Sequence, residues 1–148
     1  MLYKNGDGLR MRSPTDVEVL ESIYSKYYRD FTAYEEDESI RASKIYVPIS
    51  CDEIAKELKV DGDIVFGRLY YHLESKYGYK QSDGSNVHFF AFRVGKERHC
   101  VNFPLLSSVL AGLQQEKRKF VLATTISVVS LLISIISIGI SLWTKLST

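Results

Sequence analysis

Hydrophobic positions along the chain follow more than one rhythm. From Val17 to Phe31 they recur at helical spacing, as Val17, Leu20, Tyr24, Tyr27, Tyr28 and Phe31, which predicts an amphipathic helix. Ser13 offers an N-cap for it and Pro14 suits the first helical position. The segment 44–49, KIYVPI, is short and rich in strand formers, and its Pro48 fits an edge strand or a strand end. SCDEIAKELKV follows, with Ser50 and Glu53 at capping-box spacing and Ile54, Ala55 and Leu58 on one face. After the turn KVDGD comes DIVFGRLYYHLESKY, a further helix that points Ile64, Val65, Phe66, Leu69, Leu73 and Tyr77 inward. The stretch up to Phe103 reads as strands joined by turns, with Asp83-Gly84 a strong hairpin signal and GKER a second turn. Pro104 then begins another helix, LLSSVLAGLQQEKRK.

The last rhythm is a different one. No residue from Phe120 to Thr144 is charged. As a helix this run is ~37 Å long, enough to cross a hydrocarbon core of ~30 Å with some tilt. It is too long and too uniformly apolar for a buried core helix, so a transmembrane helix is expected over 120–144. The stretch MLYKNGDGLRMRSP has no apolar core of a signal peptide, and only KLST follows the membrane run, which together imply a tail anchor inserted late or after synthesis. Lys117, Arg118 and Lys119 abut its N-terminal side against a lone Lys145 on the other. The positive-inside rule then keeps the N-terminal domain in the cytoplasm, and Trp143 falls where an interfacial aromatic belongs.

Within this run the hydroxyls keep a register. Ser127, Ser130, Ser134, Ser137 and Ser141 are spaced 3, 4, 3 and 4 apart, and the same register takes in Ala123 upstream and Thr144 downstream. A 3,4 repeat places them on one seam. Helices in lipid associate through close packing of small residues and through interhelical hydrogen bonds, so the seam predicts a homo-oligomer. The competing explanation is that each serine bonds its own i−4 carbonyl and needs no partner. Upstream the register continues through Leu106, Val109 and Leu113 and is broken at Glu116.

The order helix, strand, short helix, turn, helix, β-hairpin over ISCDEIAKELKVDGDIVFGRLYYHLESKYGYKQSDGSNVHFFAF, residues 49–92, resembles the winged helix-turn-helix fold. The expected class is therefore α+β: a winged helix-turn-helix domain followed by a juxtamembrane helix and a single C-terminal transmembrane helix. The expected boundaries are a flexible N-terminus over 1–12, the domain over 13–103, the juxtamembrane helix over 104–119, the membrane helix over 120–144 and a short tail over 145–148. The resemblance implies that DIVFGRLYYHLESKY is the recognition helix and the Asp83-Gly84 hairpin the wing. It also makes Arg68, His72, Lys76, Lys80, Arg93, Lys96 and Arg98 the candidate contacts for a partner or for nucleic acid.

Charge weighs against duplex DNA. The N-terminal end of that helix carries Asp61 and Asp63, and residues 1–115 hold 15 Lys+Arg against 17 Asp+Glu, a net of −2. Nucleic-acid affinity rests on phosphate neutralisation, so a protein partner is favoured over nucleic acid. No glycine-rich phosphate loop, paired metal ligands or nucleophile elbow is present. His99-Cys100 lacks companions at ligand spacing, and the acidic YEEDESIRAS is expected to be a solvated loop. No catalytic, cofactor or metal role is expected. Cys51 and Cys100 are expected to be reduced thiols. The predicted function is a tail-anchored, self-associating sensor or adaptor without catalysis. Its first alternative is a membrane-perturbing effector of toxin or antiviral-defence type, whose oligomerised helix is the active part. A weaker one is a membrane-tethered transcription regulator.

Overall fold

The computed structural model of the chain describes residues 12–146. The expected flexible N-terminus lies outside these residues except for its last position, as do the last two residues of the expected tail. The chain divides after Leu110 into two units. The first is built from helices and small antiparallel sheets, and the second is helical.

The first unit opens with α1, Asp16–Ala33. Its N-cap is Thr15, not Ser13: the Thr15 hydroxyl accepts from the Glu18 amide at 3.3 Å, and Glu18 reaches back to the Thr15 amide at 2.7 Å. Only Thr15 has a glutamate three residues on, and that longer side chain closes a complete capping box. The buried stripe is Val19, Leu20, Ile23 and Tyr27, while Tyr28 is 46% exposed. A short strand β1 (Tyr46–Pro48) leads to α2 (Cys51–Leu58). Ser50 caps α2 by accepting from the Glu53 amide. The other half of the expected box is replaced: the Ser50 amide donates to the Tyr27 hydroxyl at 2.8 Å, and Glu53 pairs with Lys26 at 3.2 Å.

The next helix is continuous in sequence but changes pitch, as α3 (Gly62–Gly67), a π-helical turn (Arg68–Leu73) and α4 (Glu74–Tyr77). A wider turn returns residues four apart towards one line, so Val65, Leu69 and Leu73 all remain fully buried. Ile64, expected inside, is 49% exposed, because it stands one residue off that line.

Two hairpins follow. β2 (Tyr79–Lys80) and β3 (Asn86–Val87) flank the Asp83-Gly84 turn. Gly84 there has φ +87°, and Asp83 accepts from the Ser85 amide and hydroxyl. This hairpin, expected as the wing, is a separate two-stranded ladder. The hairpin joined to β1 is instead β4 (Phe90–Val94) with β5 (Glu97–Asn102), turning at Gly95-Lys96, in the order β1-β5-β4. Burial explains the choice. β5 supplies Cys100, Val101 and Asn102, all buried, while Lys80 and Asn86 of the first hairpin face water.

Arg41 holds the acidic loop to the domain. It is 8% exposed, and its guanidinium donates to the carbonyls of Asp30, Phe31, Ser43 and Lys44 at 2.6–3.1 Å. Asp30 and Phe31 lie in the last turn of α1, where unpaired carbonyls and the helix dipole favour a cation. The loop is therefore solvated at its carboxylates and anchored at one arginine.

Helix α5, Phe103–Leu146, is capped by Asn102, whose Oδ1 accepts from the Leu105 amide at 3.2 Å. Phe103 is buried and stacks on Tyr24 and Phe31, ring centroids 5.4 and 4.9 Å away. Leu106 and Leu110 complete the part of this helix that belongs to the first unit's core. Leu106 was expected to continue the serine seam towards a partner helix, but it is fully buried within its own domain. The second unit continues α5 with no change of secondary structure at Lys119, where a boundary was expected. Every residue from Gln114 to Leu146 is exposed.

Replacing Arg41 with Ala is expected to cost about 3 kcal/mol of stability by urea unfolding, because four part-buried carbonyls lose charge-assisted donors. Arg41→Lys is expected to recover less than half of that, since an ammonium cannot reproduce the planar fork.

Candidate functional site

The structure sorts the seven candidate contact residues by duty. Arg68 donates to the Pro14 carbonyl at 2.8 Å and lies 3.3 Å from Asp16 Oδ1, and His72 Nε2 is 3.1 Å from Asp16 Oδ2. Both side chains hold the start of α1, so they are committed inside the domain. The Lys76 ammonium lies 5.0 Å over the Tyr77 ring, and Lys80 is exposed on β2. Asp61 caps α3 by accepting from the Asp63 amide at 2.9 Å, which leaves carboxylates at the start of this helix.

Arg93, Lys96 and Arg98 are brought together on the β4–β5 hairpin. Arg93 and Arg98 are direct cross-strand partners. Arg93 Nε donates to the Gly95 carbonyl at 3.0 Å. The Arg98 guanidinium lies 5.0 Å over the Phe92 ring. Among the described residues none of these three cations forms an ion pair.

Beside Arg98 lies an aromatic surface that the sequence alone does not assemble. Phe66 stacks on Tyr70 at 5.3 Å, Tyr70 meets Tyr71 edge-on at 5.0 Å, and Phe66 reaches Phe92 at 6.4 Å. His99 sits among them, 5.4 Å from Phe66 and 5.5 Å from Phe92. Tyr71 is 73% exposed, Phe92 45% and Tyr70 41%. His99 has φ +56°, a left-handed conformation inside a strand that non-glycine residues rarely adopt. The available signal was GRLYYHL: with Leu69 and Leu73 inward, helical geometry turns Tyr70 and Tyr71 outward.

Cys51 and Cys100 are buried free thiols. Burial, then the charge of Asp52 for the first and Glu97 for the second, pushes each up to about 11. Both are protonated and poor nucleophiles at neutral pH. No group of three or more metal-ligating side chains occurs among the described residues.

The uncharged part of α5 is one helix long and apolar enough to cross a membrane. Its hydroxyls are internally satisfied. Ser127, Ser130, Ser134, Ser137 and Ser141 each donate to the carbonyl four residues back at 2.9 Å. Each O–H therefore needs no partner in an apolar medium, and what Ala123 and these serines offer a neighbouring helix is small size and free lone pairs. Lys117, Arg118 and Lys119 are exposed at the start of this stretch.

The chain matches no protein-family model, no curated protein and no solved structure.

Because Arg68 serves α1, Arg68→Ala is expected to lower stability by about 1–2 kcal/mol in urea unfolding without any ligand present. Lys80→Ala is expected to stay within about 0.5 kcal/mol of the parent.

Proposed function

We propose that this is a membrane-anchored, self-associating adaptor, whose first unit is a winged helix-turn-helix domain that docks a protein partner and performs no catalysis. The observation that carries this reading is the exposed aromatic face of Tyr70, Tyr71 and Phe92 with Arg98 stacked beside it. Tyrosine and arginine concentrate binding energy at protein interfaces, and exposed apolar patches of this kind mark interaction sites. The strand order β1-β5-β4 and the helix–turn–helix of α2 and α3 support the winged-helix reading, with β4–β5 as the wing.

Duplex DNA is the weaker partner. A recognition helix contacts bases and phosphates from its N-terminal part, where Asp61 and Asp63 stand here, and Arg68 and His72 are already occupied with Asp16. In this reading the uncharged helix lies in the bilayer and Lys117, Arg118 and Lys119 hold the domain on the cytoplasmic side. Self-association runs along Ala123, Ser127, Ser130, Ser134, Ser137 and Ser141. A second reading, a membrane effector, is favoured by the unbroken hydroxyl strip on that helix, and it requires the strip to face water.

Docking is tested by placing a photoreactive amino acid at Tyr71 or, as a control, at exposed Lys56 of α2, in the full-length protein within intact cells. The expected result is a discrete protein adduct from position 71 and none from 56. Equal adducts from both positions, or none from 71, would contradict docking through this face.

A further inference from the structure

The docking face has a charge pattern that specifies its ligand. Arg93 and Arg98 stand directly opposite each other across β4–β5, a like-charge pairing that costs stability in the free protein. Lys96 lies in the turn between them, and none of the three is ion-paired among the described residues. Glu97, the carboxylate within this segment, has one oxygen buried. The Arg98 guanidinium, 5.0 Å over the Phe92 ring, is a planar fork suited to a two-oxygen acceptor. The exposed ring of Phe92 beside this guanidinium, continued through Phe66 to Tyr70 and Tyr71, calls for apolar side chains.

We propose that this face binds an acidic protein segment, in which a carboxylate for Arg98, with Arg93 and Lys96 of the same hairpin adding positive charge, alternates with apolar residues for the rings. The inference rests on the docking reading and names its partner's chemistry. A single-stranded nucleic acid would also supply negative charge and flat surfaces for the rings. The helix that carries Phe66, Tyr70 and Tyr71 begins with Asp61 and Asp63, and residues 1–115 have a net charge of −2. Those charges would repel a continuous phosphate backbone while leaving a short acidic segment room on the hairpin side.

The test uses full-length protein in nanodiscs and fluorescence anisotropy with three probes: a dodecapeptide alternating Glu with Leu and Phe, its Gln-for-Glu counterpart, and oligothymidylate of equal length. The Glu peptide is expected to bind best. Arg98→Glu and Tyr71→Ala should each weaken it about tenfold or more, equivalent to about 1.4 kcal/mol, while Lys56→Glu, an equal change in charge on α2, leaves it unchanged. Thermal melts of the variants verify that these exposed substitutions leave the fold intact. Equal binding of the Glu and Gln peptides, both lost in Tyr71→Ala, would overturn the acidic specificity and leave docking standing. Preference for oligothymidylate, or insensitivity to Arg98→Glu, would also overturn the proposal. Failure of every probe would overturn it too, and the adduct experiment at Tyr71 then decides separately whether docking itself stands.

Discussion

The run from Phe120 to Thr144 carries no charge, and each of its residues is exposed, and this constrains everything else about the chain. Side chains of this kind exposed to water along a whole helix are unfavourable, and hydrocarbon removes the penalty. Hydrocarbon in turn requires every polar group to be satisfied from within. The helix meets that requirement twice, through its backbone ladder and through serine hydroxyls that donate to carbonyls four residues back. A serine so satisfied contributes to association by being small, so a seam of such residues is a packing surface first and a hydrogen-bonding surface second.

The folded domain uses its cations in two ways. Arg41 and Arg68 are structural, one gathering the carbonyls at the end of α1 and the other fastening its start to the helix that begins at Gly62. Arg93, Lys96 and Arg98 form no ion pair among the described residues, and Arg98 lies over the exposed Phe92 ring. Internal use of the first set is what makes the second set informative about a ligand. Phe103 supplies the matching apolar contact, stacking on Tyr24 and Phe31 at the point where the sheet ends and α5 begins.

Local signals in the sequence were legible where one short-range interaction decides the outcome. The helix at Asp16–Ala33, the cap at Ser50, the turn at Asp83-Gly84 and the uncharged helix were all readable for that reason. Choices between equivalent local signals were not. Ser13 and Thr15 both look like caps until the reach of Glu18 is considered, and both hairpins look like a wing until strand burial selects β5. The π-helical turn leaves no mark in hydrophobic periodicity. The aromatic–basic face was missed because Phe66, Tyr70, Phe92 and Arg98 come from elements far apart in sequence and meet only in the fold. Leu106 continued a heptad on paper, yet the domain core buries it first.

Anchoring by the uncharged helix can be measured against an almost silent background, because both native thiols are buried and protonated at neutral pH. Single Lys117→Cys, Ser130→Cys, Ser134→Cys and Lys145→Cys variants of the full-length protein in liposomes would be exposed to a membrane-impermeant maleimide. With the folded domain outside, labelling at position 117 in intact liposomes, labelling at 145 only once the vesicles are permeabilised, and protection at 130 and 134 until the lipid is extracted is the predicted pattern for a helix that crosses the bilayer with its serine face closed. Rapid labelling at 130 and 134 in intact liposomes would contradict it, and would place that face in water.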